Sequence, residues 1–118
     1  MKRILVTGSR DWPESERQVV IAQVGGMADG QATIVVGDCP TGVDRIVRDY
    51  LPYTEKHDAD WNKHGLAAGP IRNQAMVDSG VSVCLAFFWT PSSKGTRDCA
   101  TRARARFIPT YEIHAGTP

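Results

Sequence analysis

The stretch ATIVVGDCPTGVDRIVRDYLP, residues 32–52, decides the fold. It opens with Ala32 to Val36, an apolar run of strand length and β-branched composition. It turns through Gly37 to Gly42 and continues with Val43, Ile46, Val47 and Tyr50 at helical spacing. Thr41-Gly42-Val43-Asp44 reads as a capping box, and Leu51-Pro52 as a helix stop. This is a strand–loop–helix unit, and its loop has the G-x-x-x-x-G spacing of a phosphate cradle. Val43 and Asp44 stand where a nucleotide triphosphatase carries lysine and then serine or threonine. The loop therefore lacks the cation for a γ-phosphate and the hydroxyl for magnesium.

The same unit recurs on both sides. Upstream, Arg3 to Thr7 is a short apolar strand and Gly8-Ser9-Arg10-Asp11 a turn. Asp11 or Trp12 is expected to cap a helix with Pro13 in its first turn and Val20, Val24 and Met27 inward, ended by Asp29-Gly30. Downstream, Tyr53 to His57 is a more polar strand, expected near a sheet edge, and Asp58 to Gly69 is expected to be a loop, either plain or with a helical turn. Pro70 to Ser79 suits a helix with Ile71, Ala75 and Met76 inward. Val81 to Phe88 shows no alternation, the pattern of a strand buried on both faces. After the loop Thr90 to Gly95, a helix is expected over Thr96–Arg106 with Ala100, Ala103 and Phe107 on one side. Pro109 to Ile113 is a last strand, followed by a tail expected to fray.

Strands alternating with helices predict an α/β fold: one Rossmann-like, three-layer domain over residues 1–118, with a mainly parallel five-stranded sheet. The first and fourth strands are the most apolar, which favours the order 3-2-1-4-5; the alternative is 2-1-3-4-5. A chain of 118 residues suffices for one core and not for two. A net charge of +1 provides no global field toward nucleic acid or a membrane. The longest strongly apolar run, Val83 to Trp89, is too short to cross a bilayer, and the first residues lack the pattern of a signal peptide. Three cysteines without a C-x-x-C pair speak against a disulfide framework and for a reducing cytoplasm. A sheet this small is expected to leave apolar surface that pairs, giving a homodimer or larger oligomer.

In the order 3-2-1-4-5 the chain reverses direction between strands one and four, and ligands of open α/β sheets bind at that crevice. Three loops meet there: Gly8-Ser9-Arg10, the segment Gly37 to Gly42, and Ser92 to Thr96 with Ser93, Gly95 and Thr96. Each leads into a helix start, where unpaired N–H groups and the helix dipole suit an anion. An anionic ligand is therefore expected, with Thr41 and Asp44 at the second helix start. Asp38 is expected either to receive ribose hydroxyls or to begin a turn. Arg72 and Asn73 open a helix against its dipole, a local conflict that points to function. Trp89 follows the central strand and is expected to stack on a ring. Lys56 to His64 holds two histidines and two aspartates without metal-ligand spacing, so neither a metal nor a cofactor is expected. Trp61 is expected to pack its loop down. Arg97, Arg102, Arg104 and Arg106 spread over more than one face of the last helix, as on a solvated helix.

ILVTGSRDW, GDCPTGVD, ADWNKHGLAAGPIRNQAMVD and KGTRDC, in this order, resemble the YspA-like branch of the SLOG superfamily, over Ile4 to about Ile113. The resemblance implies a Rossmann-like fold that binds nucleotides or nucleotide-derived ligands. Relatives include the lonely-guy phosphoribohydrolases, which cut the N-glycosidic bond of nucleoside monophosphates, and the DprA proteins, which bind single-stranded DNA. The phosphoribohydrolases carry R-K-x-x-M and P-G-G-x-G-T-x-x-E segments. Here Arg72 and Met76 match the arginine and methionine, and Asn73 replaces the lysine. Gly95 and Thr96 match the G-T pair, Ser92 and Ser93 stand in the P-G-G region, and Cys99 takes the place of the glutamate implied in cleavage. Asp98 projects about 100° away on a regular helix and is a poor substitute. The combined expectation is a non-hydrolytic binder or sensor of a nucleoside monophosphate or ADP-ribose-like ligand, with no catalytic residue. The alternatives are a nucleotide phosphoribohydrolase and a single-stranded DNA binder.

Overall fold

The computed structural model describes residues 2–115. The frayed tail expected beyond the last strand falls, from Gly116 onward, outside the described residues. The strands are β1 (Lys2–Gly8), β2 (Ala32–Gly37), β3 (Thr54–His57), β4 (Val83–Phe88) and β5 (Thr110–His114). They form one all-parallel sheet in the order β3-β2-β1-β4-β5, which settles the choice between the two expected orders. The helices are α1 (Arg17–Ala28), α2 (Gly42–Tyr50), the short α3 (Trp61–His64), α4 (Ala68–Val77) and α5 (Lys94–Ala105).

Alternation along each strand builds two core layers. Ile4, Val6, Ile34, Val36, Leu85 and Phe87 meet α1 and α2 on one face. Leu5, Val35 and Cys84 meet Met76 and Val77 of α4 and Cys99 and Ala103 of α5 on the other. β4 is buried at every position and lies beside β1 at the centre, as its unbroken apolarity predicts. β3, with its polar sequence, is an edge strand.

Several local expectations are corrected. Trp12 does not cap a helix: its ring is buried, its indole Nε1–H donates to Glu16 O at 2.9 Å, and a 3-10 turn at Glu14–Glu16 precedes α1. Ile71 and Ala75 face outward, because α4 begins at Ala68, before Pro70, and turns Asn73, Met76 and Val77 to the sheet. Tyr50 and Phe107 are exposed; Phe107 lies beyond α5 with a left-handed φ of 60°, so it leaves the stripe of Ala100 and Ala103. Trp61 is half exposed, with its ring 3.4 Å from where a Cβ on Gly69 would stand.

The close seat of α2 on β1 is what brings two loops together. Gly42 adopts φ 71°, and a Cβ there would collide with Ser9 O. A Cβ on Gly8 would lie inside the Val43 side chain, which is fully buried. Overpacking of this kind costs roughly 1–3 kcal/mol, so Gly8→Ala should destabilise the protein by that order in urea unfolding. Combining it with Val43→Ala should give a coupling of at least about 0.5 kcal/mol in a double-mutant cycle. Strictly additive effects would mean that the two residues do not meet.

Candidate functional site

Ser9 joins the ends of three elements. Its N–H donates to Phe87 O at 3.0 Å, its hydroxyl accepts from Trp89 N–H at 3.0 Å, and its carbonyl accepts from Val43 N–H at 3.2 Å. The buried Ser9 thus fixes β1, the end of β4 and the start of α2 relative to one another, and does so without facing the crevice. Above it, at the carboxyl ends of the central strands, opens a crevice of about 440 Å³, a size suited to a small ligand.

The loop with phosphate-cradle spacing is turned inward. Asp38 Oδ1 meets Arg72 Nη1 at 2.7 Å and Asp38 Oδ2 accepts from Ala59 N–H at 3.0 Å. Arg48 donates to Gly37 O and Cys39 O, both at 2.8 Å. The Thr41 hydroxyl donates to Arg10 O at 2.9 Å, so the expected capping box is absent; Thr41 occupies the N-cap position without a side-chain cap bond. The Asp44 carboxylate accepts instead from Cys39 N–H, at 3.3 Å through Oδ2. Asp38, Thr41 and Gly42 therefore hold the wall together and do not line the crevice. Gly37 is required for the same reason: a Cβ there would stand 2.7 Å from both Arg72 Nη1 and Asp44 Oδ2.

Arg72 and Asn73 carry the opposite wall. Arg72 Nε–H donates to Asn73 Oδ1 at 3.0 Å, and the Asn73 amide donates to Gly95 O at 3.3 Å and to Asp98 at 3.0 Å. Asn73 is thus the tie between α4 and α5, and Asp98, held also by Arg102 at 2.9 Å, is engaged in that tie. Arg72 is the fifth residue of α4 and so lies beyond the first turn, which removes the expected conflict with the helix dipole, and its charge is matched by Asp38.

The crevice is open at the start of α5. Ser93 is the N-cap residue, its hydroxyl 2.7 Å from Thr96 Oγ1, and makes no side-chain bond to the helix backbone. The first-turn N–H groups of Lys94, Gly95 and Thr96 have no intrahelical acceptor by the geometry of any α-helix. A Cβ on Gly95 would meet nothing within 4 Å. Arg10 and Lys94 add positive side chains to the lining. Of the residues singled out from sequence, the fold brings Gly8, Arg10, Asp44, Arg72, Asn73, Ser93, Gly95 and Thr96 to one crevice. Ser9, Gly37, Asp38, Thr41 and Gly42 stand behind it. Trp89 does not join them, because it turns to the α1 side of the sheet and packs edge-on against Trp12 at 5.4 Å.

Asp11, Cys39 and Lys94 also line the crevice and were not singled out as ligand contacts. Each is a sequence neighbour of a selected loop residue, and that adjacency was the signal available. Cys99 is in the core, fully buried beside Leu5 and Cys84 rather than at the crevice. A hydrogen bond with the Cys99 thiol, together with burial, pushes the Cys84 thiol up. Among the described residues no three His, Cys, Asp or Glu side chains gather as metal ligands, and no helix is long and apolar enough to cross a membrane.

The chain is 35% identical over 120 residues to the Gene 61 protein of Mycobacterium phage D29, covering 92% of this chain and 94% of that one. Its fold matches a solved structure of DNA processing protein A from Helicobacter pylori, described for its single-stranded DNA binding mode, with a TM-score of 0.73. That match covers 94% of this chain but 64% of the other, and at 18% identity it shows the fold alone. No family model matches the chain.

Asp44 is the most perturbed acid of the site. Burial pushes its carboxyl up to about 6, while Arg72, the Cys39 N–H and Arg48 restrain the rise and Asp38 adds to it. Because the folded form keeps a proton that the unfolded chain loses near pH 3.8, this group lowers stability as the pH rises from about 4 through about 6. Above that window the cost is constant, on the order of 3 kcal/mol at about 1.4 kcal/mol per unit. Asp44→Asn should remove this pH dependence and raise the melting temperature above pH 7 relative to pH 4, compared with the unchanged protein. Parallel stability–pH curves for the two proteins would contradict it.

Proposed function

The chain belongs to the family of the Gene 61 protein of Mycobacterium phage D29, and we propose that its crevice binds the phosphate of a small nucleotide-derived ligand without hydrolysing it. The observation that carries this reading is the free start of α5, where Gly95 leaves room for an anion and Arg10 and Lys94 supply charge. Backbone donors at a helix start bind phosphate without a metal. A nucleoside monophosphate or an ADP-ribose-like molecule fits this description. The placement in the YspA-like branch of the SLOG superfamily belongs to the same proposal and rests on the sequence motifs. The non-hydrolytic part rests on Cys99: the position that matches the cleaving glutamate lies in the core, and Asp98 is engaged with Asn73 and Arg102.

The second reading is a single-stranded DNA binder, favoured by the match to the DNA processing protein A fold. A backbone phosphate would occupy the same crevice. The two readings separate by salt: an oligonucleotide that neutralises several cations loses affinity steeply with ionic strength, a single phosphate much less.

A thermal-shift screen with nucleotides tests the first reading, since a ligand at a hundredfold its dissociation constant adds about 2.7 kcal/mol of stability. Gly95→Asp should then weaken the best ligand on the order of a hundredfold in calorimetry, because a close like charge is worth about 4 kcal/mol at an effective dielectric of about 20. Its melting temperature should hold, as the new side chain meets open space and Asp suits a helix start. Unchanged affinity in the folded variant would move the phosphate away from α5.

A further inference from the structure

We propose that Asp44 selects the ligand: its carboxylate receives a sugar hydroxyl, so the crevice takes ribosyl phosphates in preference to simple phosphate esters. This rests on the reading of the α5 start as the phosphate site. A carboxylate inside an anion-binding crevice opposes a bare phosphate, since both are negative. It becomes favourable when the same ligand also presents a donor, because an ionised carboxylate can only accept.

Asp44 meets the conditions for that role. It is only 7% exposed and lines the same crevice as Gly95 and Thr96. Oδ2 is held by Cys39 N–H, while Oδ1 has no hydrogen-bond partner among the described residues. Asp38, the acid whose place at the end of β2 suggests ribose binding, has both oxygens engaged, by Arg72 and by Ala59 N–H. Arg72 pairs directly with Asp38, so Asp44 is not needed as its counter-ion. The groups facing Asp44 are Arg72 from α4, Arg48 from its own helix, and Cys39 N–H and Asp38 from the loop after β2. Together they hold one acceptor atom in place and leave it unused. Sugar hydroxyls and phosphate of one pentose phosphate lie close enough to fill a crevice of about 440 Å³ together.

The test is calorimetry with methyl phosphate and ribose 5-phosphate, at a pH above the Asp44 titration, on the unchanged protein and Asp44→Asn. The unchanged protein should bind ribose 5-phosphate at least about tenfold more tightly than methyl phosphate, the value of one charge-assisted hydrogen bond. Asp44→Asn should reduce that preference to within about threefold while binding methyl phosphate equally well or better, since a negative charge has gone. Equal affinities in the unchanged protein would overturn the proposal. So would a variant that loses both ligands alike, which would put the carboxylate on the phosphate itself. If Asp44→Asn does not fold, the two ligands on the unchanged protein decide alone. If neither ligand binds, the phosphate reading fails, and the sugar assignment with it.

Discussion

The pairing of Arg72 with Asp38 is the constraint on which the crevice depends. It spans from α4 to the loop after β2 at 2.7 Å and is largely withdrawn from water. A buried ion pair is weak evidence of stability, but removing one partner strands the other at a cost of several kcal/mol. Here the consequence is geometric. The guanidinium crosses the end of β2 where Gly37 has no side chain, and lies close enough to Asp44 to restrain its proton affinity. Next to it, Asn73 fastens the start of α5 through Gly95 O and Asp98. One side chain and its neighbour therefore set the distance between the two walls.

That arrangement braces the G-x-x-x-x-G loop of this chain from within. A cradle presents backbone N–H groups to the ligand. Here Asp44 accepts the Cys39 N–H, Arg48 takes two loop carbonyls, and Thr41 is drawn to Arg10. The lysine and hydroxyl of the triphosphatase pattern are absent, and side chains that brace the loop stand in their place. The start of α5 is less obstructed, since a Cβ on Gly95 would meet nothing within 4 Å.

Much of this was legible in the chain. The alternation of apolar runs and helical stripes favours the strand order, because β1 and β4 are the two most apolar strands and only the centre of a covered sheet buries both faces. Eight of the residues singled out from the sequence line one crevice. The errors fall where a residue's direction depends on a neighbour remote in sequence. A helix read from Pro70 places Ile71 inward; in the fold α4 presents Asn73, Met76 and Val77 to the sheet and leaves Ile71 exposed. The place of Trp89 after β4 points it to the crevice, but its ring packs on Trp12 on the α1 side of the sheet.

The sequence by itself determined the fold class and favoured the strand order and the loops that meet, since these follow from periodicity, and periodicity is a local property. It also determined what the site lacks, because the missing lysine, magnesium hydroxyl and glutamate are statements about residue type. Only the tertiary structure decided which polar groups remain free. Asp38 and Asp44 are acids of one strand–loop–helix segment, Asp38 in the loop after β2 and Asp44 in the first turn of α2. They differ because Arg72 and Ala59 N–H, which arrive from elsewhere in the chain, engage both oxygens of Asp38 and leave one of Asp44. A hydrogen-bond partner is fixed by distance and direction in space, and residues far apart in the chain meet only after the sheet and its helices have packed.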